Sequence, residues 1–332
     1  MIRKVFMSTL NNNYPQLGMQ HAFRSLFGDK NVTYFDFEGM KRANTPRPEI
    51  NRRFVEAAIL FKPDWMWLQF QGRGIITPES ILEIRKNLPH TVISHWMGDC
   101  RRKVGPKLAG ICRVTHLTLI TNNGQFGMYR KAGAPRVEYC QHAIEWNENV
   151  LLSWPPKINY RVPDVVFCGN FCGQAFPGTK TRLAVLDGLL KAGIDFGVIG
   201  SKWPDWVPVL GTCHAKQQIH IYHRTKVCIS INHFHNVPGY YSGRLLYAMV
   251  SGKPVISEYI PGLELHFQNR KHLIWFGEIP EFIPIVKELL GNEDLRNRIG
   301  RAGRAIALRN HTWFSRLFNL MPVIEEIQRE LA

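Results

Sequence analysis

The stretch INHFHNVPGYYSGRLLYAMVSGKPVISEYIPG, residues 231–262, joins a strand-like apolar run to a helix-like one through small residues and a single arginine. Ser242, Gly243 and Arg244 stand where the helix should begin. A helix start offers unpaired N–H groups and the positive end of the macrodipole, so it attracts anions. Glycine lets the backbone approach a ligand closely, and arginine can give phosphate a two-pronged contact. The same residues also fit an ordinary start capped by the Ser242 hydroxyl, with a surface arginine. A second stretch, FCGNFCGQAFPGTKTRLAVL (167–186), repeats the arrangement: strand, loop with Gly169, Gly173 and Gly178, then Lys180 and Arg182 at the next helix start. Two such loops at one sheet edge would gather three cations and two helix ends, which suits a diphosphate better than a neutral ligand. Neither loop carries GxGxxG or GxxxxGK[ST].

These loops need a scaffold. Strand-length apolar runs alternate with helix-period segments throughout, the pattern of parallel sheets with helices on their faces. In the first half the sequence predicts strands at 4–8, 32–37, 65–69, 91–96, 117–121 and 136–140, with helices near 17–28, 49–61, 78–87 and 123–132. A proline-broken stretch, 147–163, reads as a hinge. The second half predicts strands at 165–168, 196–199, 227–232 and 254–257. Its helices fall at 180–192, 216–223, 243–250, 281–291, 292–309 and 313–331. Two doubly wound domains facing each other would place ligands at the carboxyl ends of their strands.

A chain of 332 residues, 45% apolar and 20% charged, is long enough for two domains of ordinary size. No apolar run reaches the ~18 residues of a membrane span, and the segment MIRKVFMSTL reads as a first strand and not as a leader. Seven scattered cysteines, with Cys168 and Cys172 as the one close pair, point to reduced thiols in a cytoplasmic protein and complete no zinc site. His233 and His235 have strand spacing for a metal, but no neighbouring carboxylate or cysteine completes a set. A ligand contact by His233 is the better reading, and no motif requires a divalent ion. Asp36 and Glu38 are spaced like a carboxylate pair on a metal, yet fit the cap of a strand end. The net charge is +16. It is spread evenly, with 21 basic against 12 acidic side chains in residues 1–150 and 21 against 14 beyond. Such an excess favours a polyanionic partner, nucleic acid or an anionic surface.

The order of motifs resembles the GT-B glycosyltransferases, in particular a group-1, spore-maturation-like branch with members in phage. The likeness runs through LQFQGRGIITPESILEIRKN, VISHWMGDCR, LTLITNNGQFGMYRKAG and VEYCQHA in the first half. It continues through VFCGNFCGQAFPGTKTR, FGVIGSKW, the 231–267 stretch and GRAGRAIALRNHTWFSRL. The resemblance implies two Rossmann-like domains across a cleft: an acceptor domain over 1–155, a nucleotide-sugar domain over 160–312, and a helix over 313–332 crossing back to the first. It implies a nucleoside-diphosphate sugar, UDP-linked, as co-substrate, with no tightly bound cofactor. Lys180 and Arg182 match the basic residues that meet the diphosphate. Ser242, Gly243 and Arg244 match the second phosphate contact, with Gly169, Asn170, His233 and Tyr241 around them. Gly200, Lys202 and Trp203 would lie beside the base. Asn13 and Gly18, after the first strand, resemble the loop that faces the donor, and also read as a plain polar turn. The family's paired glutamates fall here on Gly239 and Tyr247, so Glu258 or Glu264 is the substitute carboxylate.

Asp99, in HWMGDCRRK, is the candidate general base of an inverting transfer, with Trp96 and Met97 expected to desolvate it and raise its pKa. It also reads as a turn cap. Gln71 and Arg73 in the QFQGRG loop, with Arg101, Arg102 and Lys103, are the acceptor candidates. A row of cations beside the base could track a phosphate backbone, which favours DNA as acceptor, for instance a flipped 5-hydroxymethylcytosine. Envelope polysaccharide, lipid or protein is the alternative acceptor. A nucleic-acid-binding module without catalysis is the alternative class.

Overall fold

The computed structural model describes residues 1–10, 16–145, 158, 160–213 and 217–332. The Asn11–Asn13 turn, most of the 147–163 hinge and Lys216 therefore lie outside the described residues. The chain divides into two compact units, one of Met1–Gln141 with Trp313–Ala332, the other of His142–Thr312.

In the first unit β1 (Val5–Ser8) leads to α1 (Leu17–Phe27), β2 (Val32–Tyr34), α2 (Phe37–Arg42) and α3 (Arg47–Phe61). Then follow β3 (Trp65–Leu68), α4 (Pro78–Asn87), β4 (Val92–Met97), α5 (Pro106–Val114), β5 (Leu117–Ile120), α6 (Phe126–Lys131) and β6 (Val137–Tyr139). The second unit runs β7 (Val165–Cys168), α7 (Thr179–Lys191), β8 (Phe196–Ile199), β9 (Val209–Gly211) and α8 (Gln218–His223). It continues with β10 (Val227–Ser230), α9 (Gly243–Val250), β11 (Val255–Glu258), β12 (Ile274–Phe276), α10 (Phe282–Gly291) and α11 (Glu293–Asn310). The last helix, α12 (Trp313–Glu330), belongs again to the first unit.

Among the described residues each unit holds one six-stranded sheet, ordered β2-β1-β3-β4-β5-β6 and β12-β11-β10-β7-β8-β9, and every pairing is parallel. The central strands are buried on both faces, as WMWL of β3 and VISHWM of β4 require. The order reverses between β1 and β3 in the first sheet and between β7 and β10 in the second. At such a reversal the loops leaving two neighbouring strands diverge to opposite faces and open a crevice at the carboxyl edge. In the second unit those loops are 169–178 and 231–242, the two glycine-bearing stretches of the sequence. In the first they follow β1 and β3, and the latter carries Gln69–Gly74.

Several elements depart from the sequence expectation. The strand expected over 32–37 stops at Tyr34, because the Asp36 carboxylate accepts the Gly39 N–H (2.8 Å) and starts α2. Asp36 thus caps a helix and not a strand end. Helix α5 has a weak signal because it opens on Pro106 and contains Gly110. That glycine is fixed by packing, since a Cβ there would lie 2.9 Å from the Pro78 ring. Strands β9 and β12 have three residues each, too few for periodicity to show. The helix expected over 123–132 shortens to Phe126–Lys131.

An aromatic cluster holds α12 to the first sheet. The Trp96 ring stacks on Trp67 (6.2 Å between centroids), and Trp313 meets both edge-on, at 5.0 and 6.3 Å. Trp313 is only 6% exposed. Trp313→Ala is expected to cost about 3–5 kcal/mol, the usual range for emptying a large aromatic site. Urea denaturation followed by tryptophan fluorescence checks it through a lowered transition midpoint.

Candidate functional site

The reversal between β7 and β10 is built around Phe167, the third residue of β7, whose ring is 2% exposed. Two guanidiniums lie over it. The Cζ of Arg182, from the first turn of α7, is 5.4 Å from the ring centroid, and that of Arg244, from the first turn of α9, is 5.5 Å away. Both distances suit cation–π stacking. Gly169 makes room, because a Cβ there would fall 3.2 Å from the Phe167 ring and 3.3 Å from Cζ of Arg244. Among the described residues no carboxylate pairs with Arg182, Arg244 or Lys180.

The two arginines do different work. Arg182 is 1% exposed and ties the loops together. Its Nε and Nη2 donate to the Ile231 carbonyl (3.1 and 2.7 Å), and Nη1 donates to the Asn170 carbonyl (3.2 Å) and to Nε2 of His233 (2.9 Å). Burial, then the neighbouring Arg244, pull its pKa down to about 9. It therefore lies a layer beneath the exposed phosphate contact expected of it. Among the described residues the half-buried Arg244 makes one long bond, from Nη1 to the Ile231 carbonyl (3.4 Å), and its Nε has no partner. Lys180 is exposed on the same helix turn as Arg182.

Neither α7 nor α9 has a side-chain cap or an acidic residue in its first turn. Ser242 occupies the cap position of α9, but its hydroxyl has no partner among the described residues, and its backbone N–H is taken by the Asn232 carboxamide (3.0 Å). The simple capping reading of Ser242 thus fails. His142 stands over the same turn, its ring 3.9 Å from where a Cβ on Gly243 would be. The net field is that of two cations and two positive helix ends without a carboxylate paired to either cation among the described residues, which fits an anionic ligand.

Several glycines serve backbone contact and not ligand approach. A Cβ on Gly178 would sit 1.9 Å from the Asn232 carbonyl oxygen, and one on Gly200 would sit 2.0 Å from that of Gly169. Trp203 is buried, its indole N–H donating to the Gly169 carbonyl (2.8 Å), and Asn170 accepts the Ser201 N–H (2.9 Å). Lys202 is exposed, with φ of +65°. Tyr241 is core: it is 1% exposed and shares a hydrogen bond with His311 (3.2 Å). Of the substitute carboxylates, Glu264 is exposed and accepts the Gly262 N–H (3.1 Å). Glu258 accepts the Thr181 hydroxyl (3.0 Å) and lies 3.8 Å from His235, and burial raises its pKa. His233 and His235 thus have separate partners, Arg182 and Glu258 respectively. No group of three or more metal-ligating side chains occurs among the described residues.

In the first unit Asp99 is exposed at the end of β4. Trp96 and Met97 are buried in the core, Trp96 donating to the Cys140 carbonyl (2.8 Å), so they do not desolvate it as expected. Gly18 is buried in the first turn of α1, and Asn13 lies outside the described residues. Gln71 has φ of +48°, and both its backbone carbonyl and its side chain accept from Arg101 Nη2, each at 3.3 Å. Arg73 is committed to the buried Glu38 (2.6 Å). Arg102 and Lys103 are exposed. Among the other basic side chains, Arg42 pairs with Asp36, Arg52 with Glu49 and Glu56, and Arg53 with Glu49. Sequence reasoning missed Phe167, Asn232 and His142. Phe167 lies within the run read as a strand over 165–168 and Asn232 ends the run read over 227–232, where a large aromatic or an amide is the available signal.

Gly178→Ala is expected to destabilise the second unit by about 1–3 kcal/mol, because backbone and not a flexible side chain must yield. Gly105→Ala, with open space around it and no positive φ, is the near-neutral control. Thermal melts of the two variants decide the comparison.

Comparison with known proteins bears on this geometry. Residues 182–321 match the family described as glycosyl transferase-like. No curated protein matches the sequence significantly. Among solved structures, Anabaena HepE in complex with UDP and glucose superposes with a TM-score of 0.63 at 11% identity, over 98% of this chain and 100% of that one. A glycosyltransferase from Rickettsia africae gives 0.64 at 12% identity, over 98% of each chain. The lipopolysaccharide outer core galactosyltransferase WaaB gives 0.58 at 14% identity, over 96% and 99%. The two parallel six-stranded sheets with flanking helices are the GT-B fold of glycosyltransferases, and the stretch from Arg182 to Met321 carries the glycosyl transferase-like sequence pattern.

Proposed function

We propose that the protein is a glycosyltransferase that takes a sugar from a nucleoside diphosphate, UDP in the first instance, and moves it to a hydroxyl acceptor. One observation carries the reading: two guanidiniums stacked on Phe167, without a carboxylate partner, at the point where the second sheet reverses. The diphosphate is met by Arg244, Lys180, the Ser242 hydroxyl and the first N–H groups of α9, while Arg182 supports the loops from beneath. The HepE complexes with UDP and UDP-glucose agree with this choice of nucleotide.

Asp99 is assigned as the base that takes the proton from the acceptor hydroxyl in an inverting transfer. The acceptor is assigned to the first unit, around Gln71, Arg101, Arg102 and Lys103. Lys103 and Lys107, exposed and with no ion pair among the described residues, favour an anionic acceptor, with hydroxymethylated DNA as the first to test. The ion pairs of Arg42, Arg52 and Arg53 leave those three cations largely neutralised, so a phosphate track would be short. Incubation with UDP-sugars and hydroxymethylated or plain duplexes, then mass analysis of the nucleosides, tests the acceptor. Sugar on neither duplex removes DNA, and absence of UDP release with any acceptor leaves a binding module.

Arg244→Ala is expected to weaken UDP binding by about 10- to 100-fold, the worth of one or two hydrogen bonds to a charged group, as read by calorimetry. Asp99→Asn should lower turnover by about 10²- to 10⁴-fold, the usual span for a general base, with UDP affinity kept. Steady-state kinetics beside the calorimetry separates the two effects.

A further inference from the structure

The bond between Arg182 and His233 has a direction that chemistry fixes. A guanidinium has N–H groups to donate and no lone pair to offer. At 2.9 Å from Nη1 of Arg182, Nε2 of His233 must therefore be the acceptor and carry no proton. In a neutral imidazole the proton then sits on Nδ1. That Nδ1 is buried and has no hydrogen-bond partner among the described residues. The Ser242 hydroxyl and Nε of Arg244, on the adjoining turn, are likewise unpartnered. Buried polar atoms are nearly always satisfied, so three orphans on two converging segments call for a ligand that presents acceptors.

We propose that Arg182 is a positioning residue that locks His233 as the Nδ1–H tautomer, so that the ring meets an oxygen of the bound diphosphate as a neutral donor, neither cation nor base. The identity of that oxygen rests on the nucleotide-sugar reading, whereas the tautomer does not. The remaining bonds of Arg182, to the carbonyls of Ile231 and Asn170, hold the guanidinium still while it does this. The ring of Phe176, 4.8 Å away, closes another side of the imidazole. The charged groups that face His233 are Arg182 from α7 and Arg244 from α9. Burial first, then these two cations, push its pKa down to about 3, which keeps it neutral through the range where histidines usually titrate. An Nε2 engaged in this way is also closed to a metal ion.

The test is long-range ¹H–¹⁵N correlation on the full chain with labelled histidine, from pH 5 to 8, with and without UDP. His233→Asn and His233→Gln identify the signals. The free protein should show the Nδ1-protonated form across the range, and UDP should move the Nδ1–H signal and slow its exchange. An asparagine amide places its N–H near the Nδ1 position and a glutamine amide near that of Nε2. His233→Asn should therefore bind UDP about tenfold more tightly than His233→Gln, roughly one hydrogen bond's worth. Arg182→Met, checked for folding by its melt, removes the donor to Nε2 and should let the Nε2–H tautomer appear, with burial still holding the ring below the ordinary value of about 6.5. A wild-type Nε2–H tautomer, a wild-type ring titrating near that value, or equal affinity of the two amide variants overturns the inference. A protein that shows the Nδ1–H form yet binds no UDP overturns the nucleotide reading and the ligand contact together.

Discussion

Everything at the carboxyl edge of the second sheet depends on one buried guanidinium. Arg182 replaces water with two backbone carbonyls and an imidazole, drawn from loops that leave different strands. A buried charge without a carboxylate partner is costly, and hydrogen bonds to carbonyl dipoles offset only part of that cost. A second cation, Arg244, shares the same aromatic ring. Under the proposed function an anion would complete this arrangement, and stability given up in the free protein would return as affinity on binding, the usual relation between preorganised sites and the strain they hold.

The backbone around this charge leaves little slack. The loop after β7 meets the loop after β10 at Gly178 and the loop after β8 at Gly200, in each case with a carbonyl oxygen pressed against the glycine α-carbon. The side chain of Asn232 substitutes for a helix cap by taking the Ser242 N–H, which frees the Ser242 hydroxyl. Trp203 buttresses the crevice from the side by holding the Gly169 carbonyl. Close packing of this kind limits the cations to a narrow set of positions.

The alternation of strands and helices was legible because long apolar runs keep their period. The order of the strands was not, since periodicity says nothing about which neighbour a strand chooses. The two glycine-bearing loops stood out because their small residues and cations are close in sequence. What Arg182 does there was illegible, since its partners are backbone carbonyls 12 and 49 residues away, and carbonyls have no sequence signature. The same holds for Gly178, where the reason for the glycine is an oxygen 54 residues on. Trp96 misled for another reason: a tryptophan three residues before Asp99 looks like a shield, but strand alternation turns its ring to the helix side. Residues 106–114 were missed because proline and glycine hide a helix that packing with α4 sustains.

The path of the chain through its two units sets an order of assembly. Residues 142–312 form the second unit without a break, whereas the first must wait for α12 to be synthesised. Until then the indoles of Trp67 and Trp96 have no cover on that side. On the ribosome the second unit can therefore reach its final form while the first is still open, inverting the usual rule that what is made first folds first.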